Sequence, residues 1–331
     1  MGGLTPTLAA EVQPSGGTQA PLQPVLPLAG LFRFGRLTAS VHTNDASFAR
    51  RFQRIFHDCR ETGSPGTPAS VLHVRVGCAG EPVEAWIAGH RELAIDVSER
   101  LLPGVAIECH GERLRVAAEA AWPIFLAHYF VHHVMALQRD VLFLHGAAID
   151  VRGRGLLLVG EKGAGKSTLA LALGSRGHPV LGDEVAAILA SDGTCLPFRR
   201  AVSIRDGPQA APIRAALEKE TPEVERLPDG TIRRRMALSQ LFPGAAPGPV
   251  VLEAAVFLRG FGERREVERF EFSARHVGWV GPLLATFSNR AAGLAALDLM
   301  RLFSRLRCYR VTIAGEPGTM AECLEPIAED R

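Results

Sequence analysis

Residues Gly160-Glu161-Lys162-Gly163-Ala164-Gly165-Lys166-Ser167 satisfy the pattern G-x-x-x-x-G-K-[ST] in full. Their flanks constrain the chain further. Leu156-Leu157-Leu158-Val159 reads as a buried strand before the loop, and the run from Thr168 to Leu173 reads as a strong helix after it. That strand, loop and helix order is the context such a motif needs in order to work. Glycines let the backbone wrap closely round a polyphosphate, while the amides and the helix N-terminus face its negative charge. Lys166 is then placed to bridge the outer phosphates and the Ser167 hydroxyl to bind Mg²⁺, with Gly160 to Thr168 forming the nucleotide-binding stretch. Lys162, in the variable part of the loop, has a solvent-exposed reading as well.

Composition sharpens the reading of Lys166. Only three of the 37 basic residues are lysines, namely Lys162, Lys166 and Lys219. In so arginine-rich a chain a surface arginine says little, whereas a retained lysine is informative. A compact ammonium fits inside a phosphate loop and a branched guanidinium does not. A net charge of +2 and 22% charged residues argue against a nucleic-acid partner. The six cysteines show no C-x-x-C pair and no metal-like spacing, as suits reduced thiols in a cytoplasmic protein. No charged n-region precedes an apolar stretch near Met1 and no long apolar run follows, so neither export nor a membrane partner is expected.

Residues 1–30 are rich in Pro, Gly, Ala and Gln and read as a flexible tail. Residues 31–119 read as a small α+β unit. Its strands are expected over Leu37–Thr43, Val71–Val76, Leu93–Val97, Val105–His110 and Leu114–Ala118, with the loop from Gly63 to Pro68 among them. One helix carries Phe48, Phe52, Ile55 and Phe56 on a single stripe, with Asn44 or Asp45 as its N-cap. A mostly apolar helix from Ala120 to Leu137 leads into residues 120–331. Its His128, His132 and His133 are better explained as packed or hydrogen-bonded side chains than as metal ligands, since no acidic ligand or H-E-x-x-H pattern accompanies them. From Leu142 the pattern becomes strand, glycine-rich turn, helix, strand, the mark of a βαβ unit in a mainly parallel or mixed sheet. Farther on, Val250–Leu258 reads as a buried strand, with Leu294, Leu297, Met300 and Phe303 packed against it and Arg301 and Arg305 outside.

A phosphate loop needs a carboxylate for its metal, usually at the end of a neighbouring strand. The helix is expected to stop at Gly177, and His178 to Glu184 then forms a short strand ending in Asp183 and Glu184. An acidic pair after a strand is often only a solvated turn. Parallel strands, however, finish on the same side as the loop, which brings this pair to the phosphates.

Leu144-His145-Gly146-Ala147-Ala148, then Gly160 to Ser167, then Gly177 to Glu184 together resemble the catalytic domain of the HPr kinase/phosphorylase family. The chain looks closest to the HPr-kinase-related proteins of natural-product and peptide-modification gene clusters. The resemblance is specific from Val141 to Ile188. It is weaker beyond Ser191, where it rests on Ser203-Ile204-Arg205, the strand from Val250 to Arg259 and the closing strand and helix from Tyr309 to Glu325.

The resemblance implies ATP and Mg²⁺ as cofactors, with Lys166 and Ser167 as nucleotide and metal contacts and His145 beside the transferring phosphate. It implies Asp183 as the base for an acceptor hydroxyl. Glu184 stands where the family commonly has a second aspartate, on the metal side; the longer side chain leaves the two roles open, with Asp183 favoured as base. Arg205 is a weaker candidate for a phosphate or acceptor contact. The family's Arg-Gly-Leu-Gly signature has no counterpart here, and the N-terminal region does not resemble the regulatory domain of the bifunctional enzymes. These departures speak against HPr as substrate and give no support to a reverse phosphorylase reaction.

The expected activity is a kinase acting on a Ser/Thr hydroxyl of a peptide or protein, a biosynthetic precursor peptide being favoured, with a homo-oligomer plausible by resemblance. A small-molecule hydroxyl kinase and a nucleotide-binding scaffold without kinase activity are the alternatives. The clusters Arg199-Arg200, Arg233-Arg234-Arg235 and Arg264-Arg265 read equally as an attraction for an acidic peptide or as solvated faces.

Overall fold

In the computed structural model the described residues are 26–62, 67–76, 83–87, 90–96, 105–109, 112–116, 122–205, 210, 213–219, 222–226, 232–284 and 292–329. The expected tail lies outside them up to residue 25, and its end is corrected. Leu28 already opens a strand, because Phe32 and Phe34 alternate into a core and pin the segment to its neighbour.

The N-terminal sheet runs in chain order through β1 (Leu28–Phe34), β2 (Leu37–Thr43), β3 (Ser70–Arg75), β4 (Val83–Ile87), β5 (His90–Asp96), β6 (Val105–Cys109) and β7 (Glu112–Val116). Of these, β1 and β4 were not expected from the sequence. All pairings are antiparallel except β2 with β3, which are parallel and joined through α1 (Ala46–Ile55). Asp45 caps that helix by accepting from the Phe48 amide at 2.5 Å, and Phe48, Phe52 and Ile55 face inward as their spacing predicts. Gly63 to Gly66, Val97, His110, and residues 117 and 118 lie outside the described residues.

The long second helix, α2 (Trp122–Ala136), inserts Phe130, Val131 and Val134 into the same core as Phe32, Phe52 and Phe56. Each such large side chain withdrawn from water contributes about 2–3 kcal/mol. Val141, Phe143, Val185, Ala187 and Phe198 also belong to this core, so the N-terminal unit and the phosphate-loop unit are packed through one continuous apolar layer.

The remaining strands are β8 (Val141–Leu144), β9 (Ala147–Val151), β10 (Arg154–Gly160), β11 (Val180–Gly182), β12 (Ala186–Leu189), β13 (Thr194–Leu196), β14 (Val202–Arg205), β15 (Glu223–Arg226), β16 (Ile232–Met236), β17 (Val250–Phe261), β18 (Glu266–Phe270) and β19 (Arg307–Ile313). The helices are α3 (Lys166–Ser175), α4 (Arg214–Lys219), α5 (Leu238–Leu241), α6 (Val277–Val280), α7 (Ala292–Arg305) and α8 (Pro317–Glu329). The large sheet runs β11-β9-β10-β17-β13-β12-β8, with β19 on β17 and β18 on β19; β14, β16 and β15 form a small sheet of their own.

The sheet is mixed rather than mainly parallel. Only β10 with β17 and β17 with β19 pair in parallel, because short connections such as that from β9 to β10 through Arg152 and Gly153 make antiparallel neighbours. The fold class is α/β with a phosphate loop between β10 and α3.

Layering explains the apolar run of β10. Leu156 and Leu158 face one core with α3 and α8, while Leu157 and Val159 face another with Leu299, Leu302 and Phe303 of α7. A strand covered on both faces carries no polar alternation. The expected face of α7 is also corrected. Phe303 is buried, but Leu294 and Leu297 are 56% and 54% exposed. Residues spaced by three precess about 60° per step round a helix, so the first and last of that set point to opposite sides.

Candidate active site

Two crossings of the chain build the site. β10 and β11 both run antiparallel to β9, which lies between them, so they point the same way and end at one edge of the sheet. β9 starts at that edge. His145 precedes it and Asp183-Glu184 follow β11, so all three come to the loop after β10. The side expected for the acids is correct, although the two strands are not adjacent.

The phosphate loop closes at Gly165, which precedes α3 with φ +98. Lys166 is buried and bends back, its Nζ donating to the carbonyls of Gly160 at 2.7 Å and Glu161 at 3.0 Å. Burial holds its pKa below the ordinary lysine value, against the opposing pull of Asp183 and Glu184.

A cleft of about 600 Å³ brings together His145, Lys162, Gly163, Gly165, Lys166, Ser167, Thr168, Asp183, Glu184 and Arg205. Of the expected site residues, Gly160, Glu161 and Ala164 stand outside its lining; the first two serve as the carbonyl anchors of Lys166, and Ala164 packs in the core. Lys162 is exposed, as one reading of it held.

Asp183 is partly buried, and its Oδ1 is shut off from solvent with no hydrogen-bond partner. Burial lifts its pKa to about 6; the Ser167 hydroxyl, Lys166 and Arg200 pull it down and Glu184 pushes it up. Glu184 is more open and pairs with Arg200 Nη1 at 3.2 Å. The His145 ring donates from Nδ1 to the Glu184 carbonyl at 3.0 Å. Burial first, and Lys166 second, keep His145 below the ordinary histidine value, which leaves Nε2 as its lone-pair nitrogen.

Arg200 is the residue that sequence reasoning undervalued. It lines the cleft between Glu184 and α2, where its Nη2 donates to His128 Nε2 at 2.7 Å. Burial and the charge of Arg200 push the His128 pKa down to about 2, so the ring is a neutral acceptor. That places His128 as a hydrogen-bonded side chain. Arg199 also departs from the two readings offered for its cluster: it is buried and paired with Asp58 at 3.3 Å. Arg233 and Phe261 line the cleft too. Arg233 comes from one of the arginine clusters read either as an attraction for an acidic peptide or as a solvated face, whereas Phe261 carried no signal in the sequence, because strand register brings it there.

Magnesium fits the donor set. It takes oxygen ligands, with one or two carboxylates alongside substrate phosphates. The cleft offers the Ser167 hydroxyl, the Glu184 carboxylate and the unpartnered Asp183 Oδ1. Among the described residues no group of three or more His, Cys, Asp or Glu side chains forms a metal cage, and no helix is long and apolar enough to cross a membrane.

Residues 137–205 match the family model of the HPr Serine kinase C-terminal domain, a span that holds His145, the phosphate loop, the acidic pair and Arg205. An HPr kinase/phosphorylase from Clostridium botulinum (strain Eklund 17B / Type B) is 49% identical over 53 residues, covering 16% of this chain and 17% of that protein. One from Chlorobium limicola is 38% identical over 85 residues, 23% of this chain and 26% of that protein. The chain thus spans well under two thirds of either relative. A solved structure, the Hpr(Ser) kinase/phosphatase from Coxiella burnetii, aligns with 13% identity and a TM-score of 0.28 over 57% of this chain and 94% of that one, a likeness too slight to argue from. The likeness to HPr kinases is thus local, resting on residues 137–205 for the family model.

Proposed function

We propose that the chain is an ATP-dependent kinase that transfers the γ-phosphoryl group to a serine or threonine hydroxyl of a peptide or protein, with residues 120–331 as catalytic unit and residues 31–119 as an accessory one. The observation that carries this reading is the convergence of Lys166, Ser167 and Asp183 on one cleft, with an Asp183 oxygen left without a partner.

Each part answers a need of phosphoryl transfer, which asks for charge neutralisation, in-line placement and a proton acceptor. Loop amides and Lys166 hold the phosphates. Ser167 and Glu184 hold Mg²⁺, which when bound offsets charge on the phosphate oxygens. The acceptor oxygen forms its bond to the γ-phosphorus as the bond from phosphorus to the β-bridging oxygen breaks and ADP departs. Asp183 takes the hydroxyl proton; a carboxylate held near pH 6 is basic enough for that work and still ionised at neutral pH. His145 is positioned for a phosphate oxygen through Nε2 once protonated, or for orienting the Glu184 backbone while neutral. Arg205 lines the same cleft and is the weaker candidate for a phosphate or acceptor contact.

A peptide from a biosynthetic cluster is the favoured acceptor, by resemblance. The test is incubation of the full chain with ATP, Mg²⁺ and a panel of short serine and threonine peptides beside small alcohols, with mass spectrometry for one added phosphate. Phosphorylated peptide is the expected product. Phosphorylation of alcohols alone would replace the peptide by a small molecule. ATP binding with no acceptor modified, together with an Asp183→Asn variant that behaves as wild type in the cell, would leave a nucleotide-binding scaffold.

A further inference from the structure

The cleft contains one large apolar side chain that the phosphate chemistry does not use. Phe261 is 61% exposed, although it lies at the end of a strand that is otherwise buried for most of its length. Other aromatics near that strand pack into one another, Phe257 against Phe270, Phe272, Trp279 and Phe303. Phe261 is instead turned toward the phosphate loop. A Cβ built on Gly165 would stand 3.3 Å from its Cζ.

Local backbone geometry turns it that way. Along β17, Ala254, Val256 and Leu258 face the core shared with α3, while Ala255 and Phe257 face the opposite core. Simple alternation would put residue 261 on the side of Phe257. The pairing with β19 passes from Leu258↔Val311 to Phe261↔Ile313, three steps on one strand against two on the other. This is a β-bulge, and Gly260 supplies its positive φ of +100. The extra residue moves Phe261 to the Ile313 side, beside the mouth of the loop. Its position beside Gly165 sets an aromatic face at the rim of the phosphate cleft, within reach of a flat group carried on the phosphates.

We propose that Phe261 is the stacking platform for the donor's nucleobase, an inference that rests on the nucleotide reading of this cleft. Stacking uses the π-face that every base possesses, so Phe261 supplies affinity without selecting one base over another.

Titration calorimetry of the full chain compares Mg-ATP, Mg-GTP and Mg-tripolyphosphate, the last carrying the phosphates without a base. Wild type should bind both nucleotides more tightly than tripolyphosphate. Phe261→Ala should weaken both by about tenfold or more and leave tripolyphosphate within about twofold, which also shows that the loop is intact. Phe261→Trp should keep nucleotide affinity. Equal wild-type affinity for ATP and tripolyphosphate, or an equal loss for both in Phe261→Ala, or no loss for either, would overturn the platform while leaving the phosphate site standing. A wild type that binds neither would sink the nucleotide reading, and the platform with it.

Discussion

Replacing Asp183 by asparagine removes a negative charge that the fold holds in an unfavourable place. The prediction is a variant that is more stable and inactive. Burial is the main cause of the displacement of Asp183 from 3.8 to about 6. At about 1.4 kcal/mol per pH unit, that makes ionised Asp183 a burden of at most about 3 kcal/mol. The sign follows from linkage. The folded pKa lies above the unfolded one, so the folded chain binds the proton more tightly, and stability falls as pH rises from about 4 through about 6. Above that window the penalty is complete. An amide does not titrate, so the advantage of Asp183→Asn over wild type should be near zero at about pH 4 and should approach about 3 kcal/mol at about pH 7.5. Urea denaturation of nucleotide-free protein at both pH values measures it. The same variant should lose at least about 100-fold in kcat, the range for a lost general base. For wild type, kcat/KM should decline below about pH 6 as Asp183 takes up its proton. A variant no more stable than wild type at about pH 7.5, or one with undiminished kcat, would refute the reasoning.

Other perturbations follow from the same geometry. Lys166→Arg should lower phosphoryl transfer by about 100-fold or more, because a guanidinium cannot occupy the niche between the Gly160 and Glu161 carbonyls; ordinary turnover in a phosphotransfer assay would overturn the assignment. His128→Ala removes the acceptor for Arg200 Nη2. It should cost about 1–3 kcal/mol in thermal denaturation and shift the Mg²⁺ concentration for half-maximal rate, since Arg200 also holds Glu184. An unchanged Mg²⁺ dependence would show that α2 does not communicate with the site. Gly165→Ala forces a side chain into φ +98 with its Cβ 2.5 Å from Ile313 Cδ1. It should destabilise by about 1–2 kcal/mol from the backbone alone, and a melting temperature equal to wild type would contradict that.

Much of the site is local and therefore legible in the chain. The loop from Gly160 to Ser167 needs glycines in sequence, a strand before it and a helix after it, all within a few residues. The stripe of Phe48, Phe52 and Ile55 and the cap at Asp45 are likewise written at helical spacing and appear as expected. Asp183 could be placed beside the loop because the direction of a strand joined by a helix is constrained by chain connectivity.

What tertiary structure alone decides is whatever depends on partners far apart in sequence. Whether β10 has parallel or antiparallel neighbours turns on β9 and β17, nearly a hundred residues apart in the chain. Arg200 looks like any other arginine until α2 presents His128 to it across 72 positions. Phe261 lies beyond the apolar run read as a strand from Val250 to Leu258, and one extra residue in the register against β19 turns it to the cleft. A pattern of residue types fixes which surfaces avoid water. Register and packing then fix which atoms meet, because each depends on a contact that only the folded chain makes.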